Sequence, residues 1–171
     1  MKGYVQVYTG DGKGKTTAAL GLAVRAAGAG LNVYIAQFVK GMVYSELTAL
    51  EKLSEHITIK QYGRDCFIKK DPQEEDFQAA REGLGEVREV IGSGNYQVII
   101  LDEANIATFY GLFEVEDLLD IIQTRPVDVE LVITGRRADS RVIEAADLVT
   151  EMKEVKHYYQ NGVMARDGIE K

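Results

Sequence analysis

A short segment near the amino end of the chain carries three alternating glycines, two lysines and three threonines. From residue 9 to residue 17 it reads Thr-Gly-Asp-Gly-Lys-Gly-Lys-Thr-Thr, and an alanine-rich run follows at once. Glycines let the backbone adopt positive φ and turn its N–H groups towards a polyphosphate, and the positive end of a following helix adds to the attraction. Lys15 is placed to reach the phosphates, and the Thr16 hydroxyl is placed to hold a divalent cation. The pattern predicts a nucleotide phosphate site formed by Thr9, Gly10, Gly12, Lys13, Gly14, Lys15, Thr16 and Thr17.

The segment departs from the Walker pattern at one position, because Thr9 stands where that pattern has its first glycine. A Gly/Asp-rich hairpin turn is the alternative interpretation. Such a turn rarely continues into Gly-Lys-Thr-Thr and an alanine-rich run of high helix propensity. A phosphate loop does so, between a strand and a helix, and the β-rich run at residues 4–8 supplies the strand. The phosphate-loop interpretation is therefore favoured.

Two carboxylates, Asp102 and Glu103, end the apolar run 98–101. Four consecutive aliphatic residues are typical of a strand buried on both faces, so the carboxylates stand at its carboxyl end. Acidic side chains at that edge can hold the cation that Thr16 also approaches. The alternative is that the pair caps a following helix. With a phosphate loop upstream, the arrangement favours a Walker B site in which Thr16, Asp102 and Glu103 are metal ligands.

Strand and helix patterns alternate along the chain. Apolar runs rich in β-branched residues predict strands, and apolar residues three or four apart predict helices. The predicted strands are residues 4–8, 32–39, 56–62, 96–103, 129–134 and 148–152. The predicted helices are 16–29, 45–53, one that starts at Asp71 or Gln73 and runs to about residue 91, 113–123, and one capped by Asp139 or Ser140 that runs to residue 146. This alternation calls for an α/β fold with a mostly parallel sheet and right-handed crossovers. The chain length favours a single nucleotide-binding domain over residues 1–171.

Two cationic side chains follow predicted strands. Lys40 comes directly after the second strand and Arg136 shortly after the fifth, at the carboxyl edge where ligands of open α/β sheets gather. Arg136 or Arg137 could reach a phosphate or a ribose, although a surface arginine is the commoner case. Further along, residues 158–164 contain the pair Asn-Gly, which predicts a C-terminal β-hairpin.

The composition limits the classes of partner. With 27 acidic and 20 basic residues the net charge is −7, and no basic run is present that could neutralise nucleic-acid phosphates, so no nucleic-acid partner is expected. Cys66 is the only cysteine, which excludes an internal disulfide and fits a reducing cytoplasm. No apolar run approaches the length of a membrane span, and the early first strand leaves no room for a signal sequence. We expect a cytoplasmic protein without membrane contact.

Six segments in unbroken order resemble the ATP:corrinoid adenosyltransferases of the P-loop type. The resemblance covers almost the whole chain, and threonine at the first Walker position is itself usual in that family. The segments are Thr9–Thr17, Gln37–Gly41, Leu101–Glu103, Thr124–Pro126, Ile133–Arg136 and Val155–His157.

The resemblance implies a three-layer RecA-like fold, a homodimer and a specific reaction. In that reaction the 5′-deoxyadenosyl group of ATP is attached to the cobalt of a reduced corrinoid, such as cob(I)alamin or cob(I)yrinic acid a,c-diamide, in cobalamin biosynthesis or salvage, and triphosphate leaves. Co(I) is already a strong nucleophile, so the enzyme chiefly has to align the ribose 5′ carbon with cobalt and stabilise the departing polyphosphate. The implied cofactor is Mg²⁺ or Mn²⁺, and the implied partner is an electron-donating reductase or flavodoxin-like protein.

The resemblance also assigns roles residue by residue. It places residues 12–17 on the triphosphate and puts Thr16 and Glu103 on the metal. It places Lys40 and Arg136 near the nucleotide. Lys15 and Glu103 are the expected catalytic residues.

The loop after the third strand departs from the family pattern. Family members often carry Gly-Phe-Thr-Trp there, and its aromatic residues help to displace the lower cobalt ligand. This chain has no tryptophan, and its loop reads Gly-Arg-Asp-Cys-Phe over residues 63–67. Phe67 is the candidate corrinoid lid, with a core or hinge role as the alternative.

Three other activities remain open on the residues alone. An ordinary P-loop NTPase would use Glu103 to activate water. A small-molecule kinase would pass the γ-phosphoryl group to an acceptor and usually needs a lid with several arginines, whereas the candidate loop has only Arg64. A non-catalytic switch would bind ATP and change a partner surface. The fold does not separate these alternatives.

Overall fold

The computed structural model of the protein describes residues 2–42, 44–64 and 71–170. Strands and helices alternate along these residues. The strands are β1 (Val5–Thr9), β2 (Val33–Phe38), β3 (Ile57–Tyr62), β4 (Val98–Asp102), β5 (Glu130–Thr134) and β6 (Leu148–Glu151). The α-helices are α1 (Lys15–Gly28), α2 (Ser45–Glu51), α3 (Glu74–Gly92), α4 (Ala104–Phe109), α5 (Val115–Thr124) and α6 (Ser140–Ala145), and Tyr158–Asn161 forms a 3₁₀ turn.

The strands of the described residues form one sheet in the order β3-β2-β4-β5-β1-β6. Every pairing between neighbours is parallel, so all carboxyl ends lie at the same edge. Strand β5 lies between β1, which leads into the glycine-rich loop, and β4, which ends at Asp102. Because neighbouring strands are about 4.8 Å apart, the ends of β1 and β4 are roughly 10 Å apart. Side chains at the end of β5 must therefore fill the space between them.

Helices cover both faces of the sheet, which gives three layers. Strands β2 and β4 are buried along their whole length, as their apolar runs predict. On one face, α1 packs Ala19 and Ala23 into a cluster with β2, β4 and β5. On the other face, α3 and α5 contribute Leu84, Leu118 and Ile121. The small alanine side chains allow α1 to lie close to the sheet, and its first turn begins just beyond the end of β1.

The C-terminal β-hairpin predicted for residues 158–164 is wrong. Tyr158–Asn161 forms a 3₁₀ turn, and Gly162 ends it in the left-handed conformation with φ of 81°. The Gly162 N–H donates to the carbonyl oxygen of Tyr159 at 2.9 Å. The Asn-Gly pair therefore closes a helical turn, as glycine does at a helix C-terminus. The surrounding residues are exposed and offer no buried face for a two-stranded ribbon. Among the described residues the sheet is parallel throughout.

Other predicted boundaries shift by a few residues. Tyr44 rather than Ser45 is the N-cap of α2. Strand β2 ends at Phe38 because Val39 turns to φ of 60°. Of the two expected starting residues of α3, Gln73 is the N-cap, and its side chain forms a reciprocal capping box with Asp76. None of the helices within the described ranges is long and apolar enough to cross a membrane.

Candidate functional site

The loop between β1 and α1 has the backbone shape that its glycines predict. Gly10 and Gly14 have φ of 94° and 123°, values that residues with side chains rarely adopt. Gly14 is also the N-cap of α1, and it has no side chain to accept the first N–H groups of the helix. These N–H groups remain available to an anion, which the helix dipole also favours.

Met152, directly after β6, supports the loop through backbone hydrogen bonds. Its N–H donates to the carbonyl oxygen of Thr9 at 2.8 Å, and its carbonyl oxygen accepts from the Gly12 N–H at 2.6 Å. A Cβ atom at Gly10 would lie 2.5 Å from the Met152 carbonyl oxygen, and one at Gly12 would lie 2.6 Å from it. Both positions require glycine because the loop packs directly on backbone. Nothing in the sequence around Met152 signals this role.

Lys15 is the first residue of α1 and points back into the loop. Its Nζ donates to the carbonyl oxygens of Gly10 and Gly12, each at 2.7 Å. Burial lowers the pKa of Lys15, while the charge of Glu103 opposes this shift. The ammonium group lies within the curve of the loop, the position from which a P-loop lysine reaches a phosphate.

Asp102 is the centre of a hydrogen-bond network at the end of β4, and only 1% of it is exposed. Its Oδ1 accepts from the hydroxyls of Thr134 at 2.6 Å and Thr16 at 2.9 Å. Its Oδ2 accepts from Lys40 Nζ at 2.7 Å and from Gln37 Nε2 at 3.1 Å. Each carboxylate oxygen thus has two donors, which is how a buried charge is stabilised.

Thr134, the last residue of β5, fills the space between the loop strand and Asp102. Its hydroxyl donates to Asp102 and accepts from the Glu103 N–H at 3.0 Å. The sequence predicts a strand end at Thr134 but does not distinguish the role of its hydroxyl. The order of strands gives Thr134 its importance, and that order is not visible in the sequence.

Glu103 follows β4 and is the N-cap of α4, with φ of 60°. Its side chain makes no capping hydrogen bond and lines the cleft instead, so the capping alternative for this residue is not supported. Burial raises the pKa of Glu103, and the charge of Asp102 adds to the shift, whereas the charges of Lys40 and Lys15 oppose it. The Glu103 carboxylate is thus an anion that would gain from a cation placed beside it.

Lys40 bridges the loop and the acidic strand end. The turn at Val39, an uncommon conformation for a β-branched residue, ends β2 just before it. Lys40 Nζ donates to Asp102 and also lies 3.1 Å from Thr16 Oγ1, and it is 5.5 Å from the centroid of the Tyr44 ring. Burial disfavours the charged form, but the neighbouring carboxylates outweigh it, so the pKa of Lys40 is raised.

Lys15, Thr16, Lys40 and Glu103 line one cleft of about 650 Å³ at the carboxyl edge of the sheet, whereas Asp102 and Thr134 are buried beside it. This volume lies within the roughly 300–1,000 Å³ of small-molecule sites. Its lining includes loop residues 12–17, Lys40, Glu103 and the exposed Arg136. His157 and residues 168–170 contribute a wall from the C-terminal segment.

The C-terminal segment reaches the loop through Lys13. Lys13 Nζ donates to the carbonyl oxygen of Ile169 at 2.7 Å and lies 3.6 Å from the carboxylate of Glu170. Glu170 in turn accepts from Arg166 at 3.1 Å and from the Tyr158 hydroxyl, and these bonds lower the pKa of Glu170. The sequence did not predict this wall, because it depends on residues 156 positions apart.

Among the predicted site residues that the structure describes, Thr9, Gly10 and Asp102 do not line the cleft. Thr9 is 8% exposed, and its hydroxyl accepts the Ala138 N–H at 3.3 Å, so it supports the loop from below rather than lining the cleft. Thr17 lines the cleft with its neighbours. Phe67, the candidate corrinoid lid, lies outside the described residues.

The oxygen atoms of Thr16, Asp102 and Glu103 are of the kind that hard divalent cations prefer. The Lys40 ammonium already lies between two of these groups, so the position favours a positive charge. Within the ranges that the structure describes, no group of three or more His, Cys, Asp and Glu side chains could hold a metal ion. A cation here would therefore need further ligands from bound phosphate or water. The residues fit a nucleotide-associated Mg²⁺ or Mn²⁺.

Sequence comparison gives a consistent result over the whole chain. The family model described as ATP:corrinoid adenosyltransferase BtuR/CobO/CobP matches residues 1–170. The corrinoid adenosyltransferase of Pseudomonas aeruginosa is 34% identical over 170 residues, which cover 99% of this chain and 84% of that protein. Those of Escherichia coli K12 and Salmonella typhimurium are 33% and 32% identical, and each alignment covers 99% of this chain and 86% of the relative.

Structural comparison agrees on the fold. A KaiC-like protein of the archaeon Pyrococcus horikoshii matches with a TM-score of 0.61 and 16% identity, over 91% of this chain and 74% of that one. Because the sequence identity is this low, the match is evidence for the fold alone. It confirms the α/β RecA-like P-loop architecture expected from the sequence.

Proposed function

The chain belongs to the ATP:corrinoid adenosyltransferase family, and we propose that its cleft binds ATP and aligns the 5′ carbon with the cobalt of a reduced corrinoid. The enzyme adenosylates corrinoids, as its family does; the residue roles and the triphosphate leaving group are our proposals. One observation supports these proposed roles. Lys15, Thr16, Lys40, Glu103 and Arg136 converge on a single cleft beside the free N–H groups of α1.

The proposed reaction is a nucleophilic substitution at carbon. Co(I) supplies an electron pair to C5′ of ATP, the cobalt–carbon bond forms, and the C5′–O bond breaks. Triphosphate leaves with the electron pair of that bond, and the cobalt becomes formally Co(III). The nucleophile carries no proton, so the site needs no general base for the attack. Its tasks are alignment and stabilisation of the charge that develops on the leaving triphosphate.

The cationic groups of the cleft suit this second task. We assign Lys15 and the first N–H groups of α1 to the triphosphate, because both already face the inside of the loop. Lys13 and Arg136 add positive charge along the cleft. Lys13 would exchange its bond to the Ile169 carbonyl for one to a phosphate oxygen.

The metal site is assigned to Thr16, Asp102 and Glu103. A divalent cation there would neutralise part of the triphosphate charge. The hydroxyl of Thr134 and the amide of Gln37 hold the Asp102 carboxylate in one orientation. This leaves Glu103, which makes no capping bond, as the group most able to adjust to a bound ion.

Further features of the proposal rest on the family alone or on reaction chemistry. We propose a homodimer, a reductase or flavodoxin-like electron donor, and a lid role for Phe67. The consumption of ATP and of a reduced corrinoid supports a cytoplasmic location. We also propose that the chain acts as a single nucleotide-binding domain, because all strands of the described residues form one sheet and the C-terminal segment contacts the phosphate loop on it.

An anaerobic assay tests the proposed function. Purified protein, Mg²⁺, ATP and chemically reduced cobalamin are mixed, the cobalt–carbon absorbance change is followed, and the phosphate product is identified by ion chromatography. We expect adenosylcobalamin and triphosphate in equal amounts. Phosphate or ADP formed at the same rate without corrinoid, and without a cobalt–carbon bond, would overturn the proposal in favour of an NTPase. Lys60→Met is the control variant. It removes a lysine on β3 that does not line the cleft, and it should react like the wild type.

A further inference from the structure

Lys40 occupies the position where a divalent cation would meet the protein. Its ammonium nitrogen is 2.7 Å from Asp102 Oδ2 and 3.1 Å from Thr16 Oγ1. A cation bound to both oxygens would have to lie between the same two atoms. The ammonium and the metal therefore exclude each other in this arrangement.

The Lys40 side chain is largely buried, but it is open to the cleft on one side. Only 13% of its side chain is exposed, and the Tyr44 ring covers it on one side. The neighbouring backbone is closely packed, because a Cβ atom at Gly41 would lie 2.5 Å from the backbone of Arg64. The Lys40 side chain nevertheless lines the same cleft as the phosphate loop. A rotation of its side-chain torsions would carry the ammonium from Asp102 towards a phosphate bound in that cleft.

We infer that Lys40 is an internal counter-ion that closes the metal position of the nucleotide-free protein and moves to the triphosphate when the nucleotide arrives. In the empty cleft the ammonium neutralises Asp102 and keeps free metal ions out. With the nucleotide bound, the triphosphate attracts the ammonium, and the vacated oxygens become available to the metal. Metal and nucleotide then enter together. This inference rests on the proposed function, since it concerns the same site.

Binding of Mn²⁺ to the nucleotide-free protein tests whether Lys40 closes the metal position. The affinity is measured by electron paramagnetic resonance for the wild type, Lys40→Met, Lys40→Arg and the double variant Lys40→Met/Asp102→Asn. We expect Lys40→Met to bind Mn²⁺ at least about tenfold more tightly than the wild type, because a unit positive charge no longer opposes the ion. Lys40→Arg should behave like the wild type, and the double variant should lose the added affinity. No added affinity in Lys40→Met, or added affinity that survives loss of the Asp102 charge, would overturn the inference.

Circular dichroism verifies the fold of each variant. If Lys40→Met does not fold, Lys40→Gln, which is polar and also removes the positive charge, takes its place in the same titration and the same criteria apply.

Binding of metal-free ATP, measured by calorimetry in excess EDTA, tests whether the Lys40 ammonium moves to the triphosphate. The wild type should bind more tightly than Lys40→Met, because only the wild type can transfer its ammonium to the triphosphate. Equal affinities would contradict this movement. Neither experiment contains a corrinoid, so failure of adenosyl transfer would overturn the proposed function and leave these results standing.

Discussion

Gly10→Ala should unfold the protein at markedly lower denaturant, because the loop backbone at this position packs on the backbone of Met152. The new Cβ would lie 2.5 Å from the Met152 carbonyl oxygen and 2.9 Å from its nitrogen. Neither atom can yield easily, since both are held by hydrogen bonds to Thr9 and Gly12. The φ of 94° also disfavours alanine.

The expected magnitude follows from these two effects. A residue forced into a sparsely populated backbone conformation costs roughly 1–3 kcal/mol, and overpacking costs about as much again. We therefore expect a loss of about 2–6 kcal/mol in the free energy of unfolding. For a chain of this size the melting temperature should fall by roughly 10 °C.

Gly21→Ala is the matched control. Gly21 lies within α1, and a Cβ atom there would meet nothing within 4 Å. Alanine should stabilise this helix by about 0.5–1 kcal/mol. Urea unfolding followed by circular dichroism measures both variants. A Gly10→Ala protein within about 0.5 kcal/mol of the wild type would refute the packing argument, since overpacking of this kind costs at least 1 kcal/mol.

Three further predictions concern the catalytic groups and the core. Lys15→Met should lower the turnover number by about 10²–10³-fold in a protein that still folds, in line with the removal of one donor to a developing negative charge; unchanged turnover would contradict the phosphate role. Burial and Asp102 raise the pKa of Glu103, so its ionised form destabilises the fold as the pH rises above the ordinary value of 4.5. The melting temperature of Glu103→Gln should accordingly exceed that of the wild type at pH 7.5 and match it at pH 4, and a constant difference would contradict the assignment. Gly83→Ala should lower the free energy of unfolding by about 1–3 kcal/mol because its Cβ would overlap the Tyr62 ring, as urea titration can show.

Local patterns were sufficient for the framework of the fold. The aliphatic runs of β2 and β4 predicted strands buried on both faces, and the glycine-rich loop predicted the strand-to-helix turn that ends in Gly14. These features depend on neighbouring residues, and both faces of a parallel sheet leave a strong apolar signal.

The bonds within the site could not be predicted in the same way. Thr16 and Asp102 are 86 positions apart, and Lys40 and Asp102 are 62 apart. The sequence placed all three at one edge of the sheet but did not give the order of strands. The bridging role of the Thr134 hydroxyl becomes visible only when β5 is known to lie between β1 and β4, and the bond from Lys40 to Asp102 only when β2 is known to lie beside β4.

The C-terminal segment shows where a local rule misleads. The Asn-Gly pair at residues 161–162 is a strong hairpin signal, yet the same left-handed preference of Gly162 also ends a 3₁₀ turn. The contact of Lys13 with Ile169 then brings the segment against the phosphate loop. A long-range contact thus accompanies a turn that local propensity assigned to a hairpin.

The fate of the 5′ carbon of ATP tests the central claim most directly. ATP labelled with ¹³C at C5′ is incubated anaerobically with the protein, Mg²⁺ and reduced cobalamin, and the products are separated and examined by ¹³C NMR. The account predicts that the label moves into the corrinoid fraction as a cobalt-bound methylene carbon, in step with triphosphate release. A label that stays in ADP or AMP while phosphate accumulates would contradict adenosyl transfer.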